Sequence, residues 1–472
     1  MEDENQLNKK ALRSGAWYAV SNVLMRSVSI ITAPIFTRLL STDDYGIVSN
    51  YSAWQSIVMI FTGLCMTYSI GRAKLDFSDK FNSYISSIQS LSASIAFIFC
   101  IFAIIFQDWL SKFMHLDGGI IGIMFIYLIF SPSVDYIQIK YRYEFKYKEN
   151  ILISLINTLG TVAFSLLFIW IFNDHRYVGR IVGIILAIFL MGAYYFFKII
   201  KDGKCLVNIE YWKYALKISL PMIPHALTMV ILGQIDRIQI LQYCSASDAG
   251  IYSFGYSYAI LISLLINAVC QAWIPWQYEQ HNSGNIDLVR STNKIFNVLI
   301  CFFTLVFIGL GPEAIHILGA KDYWSAVWII APVALGTLFQ YYYSLYSNVE
   351  IFYKKTVMIG LSSIIAAILN VLLNIIFIPQ YGYIAAAYTT FVSYFVLMVL
   401  HFIMYKIVCK DRLFDNIFIF GSVLITIIIG FGLMALYEYY ILRYIIVGLI
   451  LLIMFTLYYK RIIAFISSGK II

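Results

Sequence analysis

Two stretches, Ser41-Thr42-Asp43-Asp44-Tyr45-Gly46-Ile47-Val48-Ser49 and Ser245-Ala246-Ser247-Asp248-Ala249-Gly250-Ile251-Tyr252-Ser253, repeat one pattern. Five identities fall at the same spacing, each 204 residues apart: Ser41/Ser245, Asp44/Asp248, Gly46/Gly250, Ile47/Ile251 and Ser49/Ser253. The leading serine stands where its hydroxyl can cap a helix start. The aspartate three residues on falls near the positive end of that helix. The glycine after it permits close packing of the helix against a neighbour. The pattern is structural rather than chemical. It says that the chain contains two halves of one topology, the parallel-repeat arrangement of alternating-access transporters, with the substrate site between the halves.

The composition around the repeat sets the medium. The chain has 472 residues, 61% of them hydrophobic and only 12% charged, with a mean hydropathy of +0.81. A soluble chain carries roughly 25% charged residues. A soluble multidomain enzyme and a disordered chain are both excluded. Apolar runs such as 417–436 and 444–458 have the length of helical spans, not the alternating ten-residue strands of an outer-membrane barrel. The reading is an all-α polytopic membrane protein with fourteen spans. Six lie at 14–38, 46–70, 83–106, 119–139, 150–172 and 178–197. Six more lie at 214–241, 249–277, 295–311, 324–349, 356–378 and 383–405, and a last pair at 416–436 and 441–459. Two pseudo-symmetric six-helix lobes, 1–200 and 201–410, are followed by two helices within 411–472. The first apolar run reads as a retained span, because no small-residue cleavage site follows it.

The cations test that topology. Positive residues collect on the cytoplasmic side of a membrane protein. Of 33 Lys and Arg residues, 25 fall in alternate segments that include both termini, and 6 fall in the intervening ones. Both termini are therefore expected in the cytoplasm. The net charge of +8 reflects this bias, and no basic run or stacking platform points to nucleic acid. The seven cysteines are scattered without CxxC spacing and read as small buried hydrophobes.

Cations within three residues of a span end are counted with the adjoining loops, and two remain deeper inside spans, Arg26 and Arg237. A charge at mid-bilayer costs about 2.5–3.5 kcal/mol on insertion scales, so each calls for a reason. Arg26 shares a helix face with Tyr18, Asn22 and Ser29. Two readings stand: a cavity-lining cation for an anionic substrate, or a buried pair with Asp135 or Asp236. Arg237 either lines the path or snorkels outward, and its neighbour Asp236 points about 100° away on a helix. His225 lies on nearly the same face as Asp236, on a helix broken by Pro221 and Pro224. That pairing suits coupling to protons or Na⁺, and a hydrogen-bonded bundle histidine is the plain alternative. Ser131, Asp135, Gln138 and Arg142 share a face beside Pro132. Further polar stripes carry Tyr252, Tyr256, Ser263, Asn267 and Gln271, then Gln340, Ser344 and Ser347, then Asn370 and Asn374. Polar groups in hydrocarbon need partners or water. Stripes on this many spans read as a wet cavity suited to sugar hydroxyls. No Walker A sequence, metal-ligand cluster or long soluble loop accompanies them, which favours transport over catalysis and requires no cofactor.

Three segments resemble the bacterial polysaccharide-repeat flippases, the O-antigen and capsule translocases. They are Pro34-Ile35-Phe36-Thr37-Arg38 through Gly46, Asp236-Arg237 followed by Asp248 through Ser253, and Asn374 through Gly382 with Ala385-Ala386-Ala387. Ala385 stands where the family usually has glycine, a mild departure that bears on packing. The resemblance covers most of the chain in the family's order. It implies the multidrug/oligosaccharidyl-lipid/polysaccharide exporter superfamily, with two six-helix lobes and two extra helices beside a groove for a polyprenyl tail. It further implies an undecaprenyl-pyrophosphate-linked oligosaccharide as substrate, moved to the outer leaflet of the bacterial inner membrane. On that implication Arg26 meets the pyrophosphate, with Arg38 or Arg237 as relay. Asn22, Asn267, Gln271 and Gln340 are substrate contacts, and Asp236, Asp135 or His225 bind a coupling H⁺ or Na⁺. A polysaccharide polymerase and a chain-length regulator are the expected partners. The rival readings are a lipid II or drug exporter of the same superfamily, and a membrane glycan polymerase or ligase.

Overall fold

The computed structural model describes Trp17, Ser21, Leu24, Met25 and residues 27–468. By packing, the chain divides between Ser253 and Phe254 into two compact units. The first runs through α1 (Ser27–Leu39), α2 (Thr42–Gly63), α3 (Thr67–Asp76), α4 (Phe81–Ile105), α5 (Gln107–Met114) and α6 (Gly118–Phe130). It continues through α7 (Pro132–Tyr143), α8 (Tyr147–Ile171), α9 (Arg176–Gly203), α10 (Ile209–Ser219), α11 (Ile223–Tyr243) and the start of α12 (Ala246–Ala259). The second holds the rest of α12, α13 (Ile262–Asn282), α14 (Ile286–Gly309), α15 (Gly311–Leu318) and α16 (Val327–Phe352). It ends with α17 (Thr356–Tyr381), α18 (Tyr383–Ile407), α19 (Asn416–Ala435) and α20 (Tyr440–Ser468). No strand occurs among the described residues.

Twelve of the described helical segments are long and apolar enough to cross a membrane. Two shorter apolar helices, Ser27–Leu39 and Tyr440–Thr456, stand where the first and last spans were placed from sequence. Several segments are interrupted, each for a visible reason. α2 gives way to α3 at Leu64 and Cys65, which both adopt positive φ, 47° and 52°. Such a conformation costs an L-residue roughly 1–2 kcal/mol, so the surrounding packing must hold it. α6 gives way to α7 at Pro132, whose ring cannot continue the hydrogen-bond ladder. Leu220–Met222 forms a 3₁₀ turn around Pro221 between α10 and α11, and Thr228 donates its hydroxyl to the Pro224 carbonyl at 2.8 Å.

The repeated motif caps two helices and joins them. Ser41 caps α2 by accepting from the Asp44 amide at 3.1 Å, while the Ser41 amide donates to the Asp44 carboxylate at 3.1 Å. The second copy shares the serine cap: the Asp248 amide donates to Ser245 Oγ at 3.0 Å, and that hydroxyl donates to the Asp248 carboxylate at 2.7 Å. In each copy the serine hydroxyl satisfies an amide that a helix start leaves open, and in the first the aspartate satisfies the cap amide as well. The two caps then meet. A Cβ at Gly46 would overlap the Ala246 carbonyl, and one at Gly250 would overlap the Thr42 carbonyl. The Ser247 hydroxyl donates to Thr42 Oγ1 at 2.7 Å. The backbones therefore touch at the two glycines. α11 packs along α2 beside this junction.

The same device draws α8 and α9 together. A Cβ at Gly179 or Gly183 would overlap the backbone at Phe168–Ile169 or at Ser165, and the two glycines lie four residues apart on one face. In the second unit α16 packs chiefly on α18, α17 on α18, and α14 on α19.

A side chain at either glycine of the motif junction meets backbone, which no rotamer change relieves. Gly46→Ala and Gly250→Ala should each cost about 1–3 kcal/mol, read as earlier thermal unfolding of the purified protein. Gly63→Ala meets nothing within 4 Å and serves as the control.

Candidate functional site

In the first unit the α2–α3 and α6–α7 interruptions face one cavity of about 310 Å³. Gly63, Cys65 and Thr67 come from one break, Pro132 and Asp135 from the other, and Val230 from α11. Asp135 is the one carboxylate lining it. No hydrogen bond or ion pair reaches that carboxylate from the described residues. Interrupted membrane helices expose backbone carbonyls that can coordinate a cation. An unbonded carboxylate between two such breaks is equipped to hold a proton or a small cation. Gln138, read on the same face, turns instead to α8, donating to Ser154 Oγ at 3.0 Å.

Asp236 and Arg237 are both buried, 2% and 8% exposed. Asp236 accepts the Tyr252 hydroxyl at 2.5 Å, so its carboxylate ties α11 to the second copy of the motif. Arg237 Nη1 donates to the Gly233 carbonyl at 2.7 Å, one turn back on its own helix. His225 is half-buried on α11. Asp135, Asp236 and His225 do not gather: no three His, Cys, Asp or Glu groups among the described residues lie close enough to hold a metal ion.

Arg38 is exposed and donates to the Pro34 carbonyl at 2.8 Å. Asn22 and Arg26 lie outside the described residues. Two cations in the first turns of α9 have structural tasks. Arg176 Nη1 donates to the Leu39 carbonyl at 2.9 Å, closing the end of α1. The Arg180 guanidinium lies over the Phe36 ring at 3.7 Å, and its Nη1 has no acceptor among the described residues.

In the second unit Asn267 and Gln271 are exposed on α13, and Gln340 is half-buried on α16. Asn370 and Asn374, read as cavity residues, are fully buried. They bond to Thr390, at 3.3 Å, and to Thr389 on α18. They join helices rather than line water, because a buried amide finds a neighbouring hydroxyl more cheaply than a solvated wall. Asn297 likewise donates to Ser422 at 2.9 Å and accepts from Tyr342. Two ion pairs escaped the sequence reading. His401 Nδ1 and Glu350 Oε1 lie 2.7 Å apart, both fully buried. Arg443, in the first turn of α20, is 1% exposed and pairs with Glu313. Each partner lies far away in the chain, so spacing carried no signal.

The sequence profile of a family described as polysaccharide biosynthesis protein matches residues 11–281. A Haemophilus influenzae protein described as Lsg locus putative protein 1 is 24% identical over 374 residues, 77% of this chain and 90% of its own. An uncharacterized membrane protein of Methanocaldococcus jannaschii is 21% identical over 459 residues, 89% of this chain and 88% of its own. Among solved structures, the lipid II flippase MurJ in an inward closed conformation is similar with a TM-score of 0.73 at 16% identity, over 94% of this chain and 99% of that one. An inward-facing multidrug resistance MATE family transporter of the MOP superfamily is similar with a TM-score of 0.62 at 13% identity, over 83% of this chain and 98% of that one. The all-helical, multi-pass membrane fold expected from sequence is the fold observed.

The Asp236–Tyr252 bond gives a direct check on the second motif. A hydrogen bond to a charged group contributes about 1.5–3 kcal/mol. Tyr252→Phe should lower stability by about that much, and adding Asp236→Asn should cost far less than the sum of the two, measured as a double-mutant cycle in thermal unfolding.

Proposed function

The chain belongs to the polysaccharide biosynthesis protein family, and on that premise we propose that it is a flippase for a polyprenyl-pyrophosphate-linked oligosaccharide. The observation that carries the reading is the family match over residues 11–281, joined to a fold similar to a lipid II flippase over 94% of the chain. The headgroup of such a substrate is anionic and hydroxyl-rich. It needs a cation in a wet cavity and amides or hydroxyls around it, while its tail stays in lipid.

In this reading the chain works by alternating access in the bacterial inner membrane, with fourteen spans and both termini in the cytoplasm. It carries a repeat unit of a surface polysaccharide, O antigen or capsule, to the outer leaflet for a polymerase and chain-length regulator. Arg26, with Asn22 on its face, meets the pyrophosphate, and Arg38 or Arg237 hands it on. Asn267, Gln271 and Gln340 meet sugar hydroxyls. Among the intramembrane groups first considered for the coupling H⁺ or Na⁺, Asp135 is favoured over Asp236 and His225. Its carboxylate lines a cavity, whereas that of Asp236 is engaged by Tyr252. Chemistry on the sugar is not required, so the protein acts as a transporter and not an enzyme. The similarity to MurJ makes lipid II the second candidate substrate.

The test is complementation of strains that lack either a polysaccharide-repeat flippase or a lipid II flippase. Rescue of the first alone supports the proposal, and rescue of the second alone replaces it. Within the first strain, Arg26→Ala should reduce surface polysaccharide about 10–100-fold, the scale of one charge-assisted contact, with partial recovery in Arg26→Lys. Normal polysaccharide from the alanine variant at equal protein level removes Arg26 from the mechanism. A second prediction follows from the motif junction. Thr42→Cys with Ser247→Cys should cross-link on oxidation and stop transport until reduced, because alternating access requires the touching caps to part.

A further inference from the structure

The strongest unexplained group in the chain is the buried pair of Glu350 on α16 and His401 on α18. Their side chains are both 0% exposed and meet at 2.7 Å. Glu350 Oε2 and His401 Nε2, the outer atoms of the pair, have no hydrogen-bond partner among the described residues. A pair kept for stability alone would have those atoms tied as well, and a buried ion pair is weak evidence of stability in any case. The Tyr343 ring stacks on the imidazole at 5.5 Å and seals one side.

Charge counting defines what the pair can hold. With one proton shared between them, the two groups are neutral overall, whichever atom carries it. Remove that proton and a lone carboxylate is left in a fully buried site, which is costly. Add a second and a lone imidazolium is left, costly for the same reason. The packed pair therefore holds one proton, and it can release that proton only when α16 and α18 part enough to admit water. The route out is short. Glu350 is two residues from the end of α16 and His401 six from the end of α18, or about 3 and 9 Å along the axes.

The surroundings leave the pair distinct. Lys355, in the turn after α16, donates its amide to the Glu350 carbonyl at 2.8 Å. After α18, burial pushes the Cys409 thiol up to about 11, with Glu350 and Asp411 adding to it, so it stays protonated near neutral pH. Asp411 is taken by His281 of α13 at 2.9 Å and by the Tyr353 hydroxyl at 2.9 Å. On α14, Lys294 pairs with Asp415 at 2.7 Å and Arg290 with the Arg412 carbonyl. Tyr405 of α18 donates no bond to the pair but accepts from the Phe414 amide at 3.0 Å. α17 and α19 carry no Asp, Glu, Lys, Arg or His.

We propose that Glu350 and His401 form a proton-binding site, a dyad that keeps one proton while α16 and α18 are packed and exchanges it with water when they part. The step moves only a proton: the Nδ1–H or Oε1–H bond breaks, and a water accepts it. The role in driving transport rests on the flippase reading, whereas the proton site itself does not.

The experiment uses the full chain in vesicles of Escherichia coli polar lipid and has two arms. In the first, infrared spectroscopy follows carboxyl and imidazole bands after transfer of the protein into D₂O, so that the signal read is exchange of the held proton. The wild type should show one shared carboxyl–imidazole proton that exchanges at least about tenfold more slowly than exposed groups, because exchange waits on local opening. Glu350→Gln and His401→Gln should each abolish it, His281→Gln should leave it, and the exchange Glu350→His with His401→Glu should restore it. A slow-exchange signal that survives in both single variants, or its absence from the folded wild type, overturns the proposal. Thermal unfolding confirms that each variant is folded, and the exchange variant decides if a single variant is not. In the second arm, a fluorescent undecaprenyl-pyrophosphate disaccharide is the probe, with and without an imposed pH gradient. Glu350→Gln should lose the gradient-stimulated part of its movement at least about tenfold and keep movement at equal pH. Equal stimulation in wild type and variant overturns the driving role. No movement by the wild type overturns the flippase reading and leaves the infrared result standing.

Discussion

Backbone touches backbone at Gly46 and Gly250, where the two copies of the motif meet in the first unit. Both glycines stand in the first turns of capped helices, so the contact brings together two helix starts with their peptide dipoles. Like ends repel. Asp44 and Asp248 offset that repulsion at each cap, and the hydroxyls of Thr42 and Ser247 join across the gap. The approach leaves room for nothing larger than hydrogen at either glycine. It also fixes α12 beside α2, which in turn sets Tyr252 where it can donate to Asp236. Close packing, caps and a buried carboxylate are thus consequences of one short motif used twice.

Much of this was legible in the sequence because it is local. Serine caps, first-turn aspartates and helix breaks at Pro132 and Pro221 are written in adjacent residues. Hydropathy located the membrane segments for the same reason. The break at Leu64 and Cys65 was not legible. Neither residue favours positive φ, and the packing that imposes it comes from elsewhere in the chain. The polar residues show the same limit. Asn370 and Asn374 look like a wet wall when only their own helix is read, yet their partners are threonines of α18. Glu350 and Arg443 sit close to helix ends, where charge is ordinary, so nothing in the string marks them as buried. Only the fold brings His401 and Glu313 to them.

The candidate site divides along the same line. Asp135 was picked out by its position beside a proline, a local cue, and the fold adds the second break that completes its cavity. Asp236 was picked out by its shared face with His225 on a proline-broken helix, and the fold shows that its carboxylate already has a structural hydrogen bond. Counting charges finds ionisable groups in an apolar chain. Deciding which are free to bind requires knowing which already have partners.

The contact at Gly250 bears on how the protein is made. A ribosome that has delivered residues 1–203 has produced α1 through α9, with their own tight α8–α9 pair, but not the surface that receives Gly46. The start of α2 must wait in the bilayer until α12 emerges. During that interval its close-packing face is open to lipid or to other chains. The order of synthesis therefore leaves an early segment dependent on a late one. A chain stopped before α12 would present an unsatisfied face to the insertion and quality-control machinery.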